Sequence, residues 1–226
     1  MDVVEIVDVK QRMEKIRSTG YWRVNIHPTK FERSRIDSLG RCWELVESCR
    51  VYLRGWDYPA VSEKEKAFGE DWVQSGADFR GMVEQWRFYQ SGQFIHYFSC
   101  SEDYRDASDG LSVISTLYRV TEIFEFAARL AQTEVLEPRL QILIKLVHMK
   151  GRRLFNWDPA RYLRKEFICG IDEIPIEKEF SAPEIIAAGH DEALDATLYI
   201  FERFGWLNPS RQILAEDQRK FLERRL

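Results

Sequence analysis

Cysteine is scarce in this chain, and its spacing excludes the common metal and disulfide frameworks. The 226 residues include four cysteines: Cys42, Cys49, Cys100 and Cys169. None of them forms a Cys-x-x-Cys pair, which zinc ribbons and thioredoxin-like redox sites require. Cys42 and Cys49 share one face of a predicted helix among apolar neighbours, a placement typical of buried free thiols. We therefore expect no metal and no cofactor.

Long apolar runs and a secretory leader are also missing. No stretch approaches the ~20 apolar residues of a membrane span. The first ten residues alternate Val and Ile with acids instead of placing an apolar run after a basic segment. These features predict a protein of the reducing cytoplasm with no membrane contact. A net charge of −4 argues against coating nucleic acid through the overall field, although a local basic patch is compatible with it.

Recognised catalytic motifs are absent as well. The sequence has no Gly-x-Gly-x-x-Gly or Walker-type loop and no Gly-x-Ser-x-Gly elbow. His96 and Cys100 lie four residues apart on a predicted strand, but no further metal ligand is close in sequence. We expect His96 to be neutral and hydrogen-bonded opposite Arg87. Glu102 and Asp103 could be a catalytic pair, although acids in such a loop more often end a strand and cap the next helix.

The segment from Val83 to Cys100 predicts a β-hairpin that is rich in aromatic residues. Ser91-Gly92 is a candidate two-residue loop, because glycine readily adopts the positive φ of tight hairpin turns. That loop pairs Phe88 with Ile95, Trp86 with Tyr97, Glu84 with Ser99, Tyr89 with Phe94, Arg87 with His96, Gln85 with Phe98, and Val83 with Cys100. Both faces then carry aromatic residues. Either both faces are covered by the rest of the protein or one face binds a partner.

Apolar periodicity and capping residues predict the remaining elements. Helices are expected over residues 36–51 with Asp37 or Ser38 as N-cap, 112–133 with Asp109 or Ser108 as N-cap, 181–204 from a Ser181–Glu184 capping box, and 209–226 with Pro209 in first position. Strands are expected over 21–26, 52–58, 139–149 and 174–180, with 162–171 extended, a turn at 74–76, and 3–17 either helix or strand. This order favours an α+β fold: a mainly antiparallel sheet with a central aromatic hairpin, covered by helices and followed by a C-terminal helical pair. We expect one domain over residues 1–226, with a division into 1–108 and 109–226 as the alternative.

A basic run with interleaved rings lies in the second half of the chain. Its candidate binding residues are Lys150, Arg152, Arg153, Trp157, Arg161, Arg164 and Lys165. Cations that meet phosphates, together with rings that stack on bases, are typical of a nucleic-acid surface. The alternative is a solvated face, or one paired with the acidic run that follows.

Two short segments resemble stretches of an uncharacterised bacterial protein family. They are LRGWDYP, beginning at Leu53, and YQSGQF, beginning at Tyr89. The resemblance covers roughly residues 21–103 and implies a bacterial source; some members carry a nucleic-acid-binding module. No activity is assigned to that family, so no functional residue is transferred from it. Within the first segment, Arg54, Trp56 and Asp57 could contact a ligand or stabilise a turn.

These observations favour a non-catalytic binding or sensor subunit of a bacterial cytoplasmic system, with nucleic acid or a protein as partner. The alternative is an enzyme acting on nucleic acid or a nucleotide, with a site assembled from residues distant in sequence. A deep pocket lined by ionisable groups would favour the enzyme. A flat basic or aromatic surface would favour the binding protein.

Overall fold

A computed structural model gives the arrangement of residues 3–79, 81–105 and 109–225, with side chains described from residue 9 onward. The helices are α1 (Val3–Arg17), α2 (Leu39–Cys49), α3 (Val113–Ala131), α4 (Ala182–Arg203) and α5 (Arg211–Leu222). The strands are β1 (Tyr21–Pro28), β2 (Val51–Tyr52), β3 (Asp57–Tyr58), β4 (Ala67–Phe68), β5 (Trp72–Phe79), β6 (Met82–Tyr89), β7 (Phe94–Ser99), β8 (Gly110–Ser112), β9 (Arg139–Val147), β10 (Arg153–Phe155) and β11 (Glu173–Ser181). Within these ranges no helix is both long enough and apolar enough to cross a bilayer.

One antiparallel sheet organises the molecule and confirms the α+β prediction. Over the described ranges it has seven strands in the order β11-β9-β1-β7-β6-β5-β4. β1 lies between β7 and β9, so the sheet takes strands from both halves of the chain. One edge is β4, which is two residues long, and the other is β11, which carries Pro175.

Helices cover one face of this sheet, which we call the inner face. Trp86 of β6 lies 5.7 Å from Trp43 of α2, measured between ring centroids. Phe94 of β7 lies 4.7 Å from Phe126 of α3 in the same measure. Burying several large aromatic side chains against one another contributes much of the hydrophobic stabilisation of a domain of this size.

The predicted register of the central hairpin is wrong by one residue. The turn has three residues, because the backbone N–H of Tyr89 donates to the carbonyl of Gln93 at 2.9 Å. Gly92 takes a φ of +84°, as the last residue of a three-residue loop with a bulge requires. A shift of one residue moves the side chains of one strand to the other face. The inner face therefore carries Glu84, Trp86, Phe88, Phe94, His96 and Phe98, all buried.

The opposite face of the hairpin is partly covered by α1. Arg12 of α1 is buried and donates to the side-chain oxygen of Gln85 at 2.8 Å. Ile95 and Tyr97 are half-buried on the same face. Of the two predicted alternatives, the structure is closer to a hairpin covered on both sides, with the inner face buried and the outer face half-buried with mixed polar and apolar side chains.

The start of α3 differs from the prediction. Its N-cap is Ser112, whose side chain accepts a hydrogen bond from the backbone N–H of Ser115 at 3.2 Å. Asp109 is not the cap, and Ser108 lies outside the described residues. The reason is that residues 110–112 form β8, which pairs in parallel with β10 and keeps the chain extended up to Ser112.

The other helix ends agree better with the sequence. Ser38 caps α2, and Ser181 with Glu184 forms the predicted capping box of α4. Gly205 follows the end of α4 as predicted. α2 begins at Leu39, after its cap, and α5 also begins later than expected, because Ser210, rather than the residue before Pro209, accepts from a backbone N–H of the first turn.

Three predicted segments take other forms. Residues 52–58 do not make one strand; β2 and β3 pair with each other and the chain reverses between them. Residues 74–76 do not turn, since β5 pairs with β6 along its whole length and this pairing outweighs the local turn preference. In residues 162–171 the described β-structure is a single bridge between Ile168 and Arg153.

Truncating the inner-face rings tests the corrected register. We expect Trp86→Ala and Phe94→Ala each to lower the free energy of unfolding by about 3–5 kcal/mol, because both side chains are fully buried. Ile95→Ala on the half-buried outer face should cost clearly less. Chemical denaturation of the three variants measures the difference, and a cost for Ile95→Ala as large as for Phe94→Ala would contradict the register.

Candidate functional site: an arginine-lined cavity

A cavity of about 280 Å³ lies where β1 begins and β7 ends, beside the first two turns of α3. Its lining residues come from segments distant in sequence: Trp22, Arg54, Trp56, Phe79, Met82, Phe98, Ser99, Cys100, Ser101, Glu102, Arg105, Leu111, Ser115, Thr116, Arg119 and Trp157. We call this space the arginine cavity, because three guanidinium groups line it. Its volume is close to the ~300 Å³ lower limit of typical small-molecule sites.

A polar stripe on α3 forms one wall of the cavity. Ser115, Thr116 and Arg119 line it, and Glu122 lies one turn further along the same helix face. Positions three or four residues apart lie on the same side of a helix. The other polar residues of α3 include Thr121, Glu125 and Arg129, so the polar groups in its first two turns are those that meet the cavity.

Glu122 holds two of the arginines in place. Its carboxylate is fully buried, and it accepts hydrogen bonds from Nε and Nη2 of Arg54 at 2.9 and 2.7 Å. Nη1 of Arg119 lies 3.2 Å from the same carboxylate. Burial lowers the pKa of Arg54 and the charge of Glu122 opposes this, so the guanidinium stays charged. Two cations therefore share one anion at this wall.

A second buried pair lies behind the cavity. Nε2 of His96 is 2.8 Å from a carboxylate oxygen of Glu84, which also accepts from the backbone N–H of Ala60 at 3.1 Å. Burial of the ring lowers the pKa of His96, so it is neutral and Nε2–H is the donor. Burial opposes ionisation of Glu84, but the donors from His96 and Ala60 and the charge of Arg119 outweigh it and lower the pKa of that carboxyl. His96 thus faces Glu84 and not Arg87, as the corrected register requires.

Two polar atoms at the cavity are buried without a hydrogen-bond partner. They are Oγ1 of Thr116, a residue that is 1% exposed, and Nε1 of Trp56. Native proteins satisfy nearly all buried polar atoms, because an unpaired one costs about 1–3 kcal/mol. Both residues line the cavity, so a molecule bound there could supply the missing partners.

The N-terminal end of the α3 stripe carries a carboxylate. Glu102 is 3% exposed and accepts from the backbone N–H of Ser112 at 3.0 Å and from the hydroxyl of Ser101 at 3.3 Å. Cys100 beside it is a poor nucleophile, because burial raises the pKa of its thiol well above the ordinary value. This end of the cavity can accept a hydrogen bond from a ligand, while the opposite end donates.

Aromatic rings complete the walls. Trp22 and Phe98 stack with ring centroids 5.7 Å apart and 13° between their planes. Trp157 is 46% exposed and packs against Phe155, with the guanidinium of Arg105 5.5 Å from its ring. The cavity therefore joins guanidinium groups to flat apolar surfaces.

The structure separates the residues of the predicted basic run. Arg152 is buried, and both of its terminal nitrogens contact the carboxylate of Asp103, with Nη2 at 2.6 Å. Gly20 permits this, because a Cβ there would lie 2.4 Å from the Arg152 guanidinium. Arg152 is thus engaged inside the protein, although its partner Asp103 precedes the basic run and does not belong to the acidic run that follows it.

The other members of the run lie nearer the surface. Arg161 pairs with the buried Asp217 at 2.6 Å, and Nε of Arg153 lies 3.3 Å from Asp109. Lys150, Arg164 and Lys165 are exposed as well, and no described ion pair involves them. Of the seven predicted residues, Trp157 is the one that lines the arginine cavity. The nucleic-acid surface stays a prediction, now with fewer free cations.

The segment Arg54-Gly55-Trp56-Asp57 lies between a turn and the cavity. Asp57 stabilises the turn by accepting from Arg50 at 2.6 Å. Arg54 and Trp56 line the cavity, with the guanidinium 4.9 Å from the indole ring. Trp157, Glu102 and Cys100 were considered for other roles, and the remaining cavity residues were not predicted. Their one sequence signal is the spacing of Ser115, Thr116, Arg119 and Glu122, which places polar groups on one face of an apolar helix.

Replacing the two neighbouring arginines of the run distinguishes internal pairing from surface charge. Arg152→Ala should lower the free energy of unfolding by about 3–5 kcal/mol, because it leaves Asp103 buried without its partner. Arg153→Ala, at an exposed site, should change it by no more than ~0.5 kcal/mol. Urea denaturation provides both values, and equal effects would show that Arg152 is not an internal residue.

The His96–Glu84 pair predicts a pH dependence of stability. Because the folded pKa of His96 lies below its unfolded value of ~6.5, its contribution is complete above pH ~6.5 and is lost as the pH falls below it. The free energy of unfolding should therefore decrease between pH 7.5 and 5.5. The decrease should be smaller in His96→Gln, which keeps a donor for Glu84. An identical pH dependence in the two proteins would rule out this origin.

Comparison with known proteins adds no relative. No protein-family model matches the chain, and neither a curated protein nor a solved structure is similar to it. The function of the arginine cavity is therefore argued from its own residues.

Proposed function

We propose that this chain is a binding protein of the sensor type, whose ligand is a small organic anion with a flat ring, held in the arginine cavity. The observation that carries the proposal is the buried, unpartnered hydroxyl of Thr116 on the same wall as the Arg119 guanidinium. A hydroxyl and a guanidinium are suitable donors for a carboxylate or phosphate. The rings of Trp22 and Trp157 supply flat surfaces for the rest of the ligand, while the Phe98 ring packs against Trp22 and the Arg119 guanidinium.

The distribution of charge supports an anionic ligand. Arg54, Arg105 and Arg119 line the cavity with one carboxylate, that of Glu102, whereas Glu122 and Glu84 do not line it. The cations in the lining therefore outnumber the anions by three to one. Among the described residues, the ion-pair contact of Arg119 is that of Nη1 with Glu122, and its guanidinium lies 4.7 Å from the centroid of the Phe98 ring. An anion entering the cavity would meet these guanidinium groups.

Binding is favoured over catalysis by what the lining provides. Besides Thr116, the hydroxyl-bearing residues of the lining are Ser99, Ser101 and Ser115. Within the described part of the chain, no histidine lines the cavity to activate one of them as a nucleophile. Glu102 could act as a general base, and this supports the alternative that the protein is an enzyme. Nucleic-acid binding by the exposed cations Lys150, Arg164 and Lys165 remains a second candidate, supported by the exposure of Trp157.

Removing the Thr116 hydroxyl tests the proposal without unfolding the protein. Thr116→Val is nearly isosteric and removes a group that has no partner, so stability should be unchanged or slightly higher. Binding of phenyl phosphate or 4-hydroxybenzoate, measured by calorimetry, should weaken about tenfold for whichever probe binds.

The matched control is Thr197→Val, which alters a buried helix threonine whose hydroxyl is bonded to the carbonyl of Ala193 at 2.8 Å. It should leave the binding of both probes unchanged. Arg119→Gln should abolish binding. If Thr116→Val and Arg119→Gln bind the probes as well as the unmodified protein, the arginine cavity is not the site.

A further inference from the structure

We infer that the ligand of the arginine cavity is a nucleoside monophosphate, a phosphate monoester joined to a flat heteroaromatic ring through a hydroxylated linker. This rests on the proposed function and adds the chemical class of the ligand. The class follows from the number of donors, their separation from the acceptor Glu102, and the shape of the walls between them.

The donors at the Arg119 end exceed what a carboxylate can accept. Thr116 offers a hydroxyl, Trp56 offers Nε1–H, and Arg119 offers Nε–H and Nη2–H. Arg54 uses Nε and Nη2 on Glu122, which leaves Nη1. A carboxylate has about four lone-pair sites, and it would leave part of this set unpaired. The three terminal oxygens of a phosphate monoester provide enough acceptors.

Glu102 places a second requirement on the ligand. A buried carboxylate repels an anion, so the anionic group must occupy the Arg119 end of the stripe. Glu102 contacts Ser112, which lies two helical turns before Arg119. Because an arginine side chain on a helix leans towards the N-terminus, the distance between the Glu102 carboxylate and the Arg119 guanidinium is roughly 6–10 Å. A ligand that satisfies both ends carries a hydrogen-bond donor at that distance from its anion. Ribose hydroxyls and the exocyclic amine of a base meet this condition, whereas the ammonium group of an α-amino acid lies too close to its own carboxylate.

The walls between the two ends suit a flat ring. The stacked pair of Trp22 and Phe98 lies on the sheet side, and Trp157 lies at the exposed rim with Arg105 against it. Stacking of a nucleic-acid base on aromatic side chains favours binding without requiring a particular base. The volume of about 280 Å³ leaves little room for a second or third phosphate. These features together favour a monophosphate over a nucleoside triphosphate.

The test measures binding of the four common 5′-nucleoside monophosphates by calorimetry, next to the parent nucleosides, inorganic phosphate and 4-hydroxybenzoate. We expect at least one nucleoside monophosphate to bind at least a hundredfold more tightly than its nucleoside and than inorganic phosphate. Thr116→Val should weaken that binding about tenfold, and Thr197→Val should not change it.

Glu102→Gln tests whether Glu102 contacts the ligand, because the loss of a merely structural contact would not weaken the binding of one ligand and spare another. Its amide oxygen can still accept from the N–H of Ser112, so the fold should persist. The variant should bind the nucleoside monophosphate about tenfold more weakly and inorganic phosphate no more weakly, because a negative charge has been removed.

The outcomes separate the two proposals. If 4-hydroxybenzoate or phenyl phosphate binds in a Thr116-dependent manner and no nucleoside monophosphate does, the proposed function stands and the nucleotide class is wrong. If no anion binds, the proposed function itself fails. If nucleosides bind as tightly as their monophosphates, the phosphate end has been assigned wrongly.

Discussion

The carboxylate of Glu122 is the constraint on which the candidate site depends. It lies fully buried in the middle of an apolar helix, a position that is stable only if cations and hydrogen bonds offset the loss of hydration. Arg54 meets this need from a loop 68 residues earlier, and its bidentate contact fixes that loop, with Trp56, against α3. Arg119 completes the arrangement from the same helix. A requirement of folding thus gathers guanidinium groups at one cavity and leaves some of their donors unused.

Most of the secondary structure could be predicted because it rests on local signals. Ser38 and the Ser181–Glu184 box mark helix starts through hydrogen bonds to neighbouring backbone groups. The errors occur where distant pairing decides the conformation. Residues 74–76 resemble a turn in isolation, yet β6 pairs with them as part of β5. The hairpin register depended on whether Gly92 ends a two-residue or a three-residue loop, and the alternation of residues alone does not distinguish these because both faces carry rings.

The cavity was harder to predict than the fold for the same reason. Its charged residues come from positions 54, 102, 105 and 119, and sequence spacing says nothing about which of them meet. The cations of the basic run lie close together in sequence, which predicted a binding surface, but the side chain of Arg152 is directed inward to Asp103. The density of charge along a chain does not reveal which charges are already neutralised. The polar stripe of α3 was the available signal, since buried polar residues at helical spacing require a partner.

The two edges of the sheet limit how the protein can associate. An edge strand with free N–H and C=O groups is a template on which another chain can add a strand. Here one edge ends in the two residues of β4, and the other, β11, presents Pro175 among Glu173, Glu177, Lys178 and Glu179. A short strand, a missing N–H and a row of charges all discourage strand addition. A macromolecular partner would therefore contact a helix, a loop or a face of the sheet more readily than its edges, and assembly by sheet extension into fibres is opposed by the same residues.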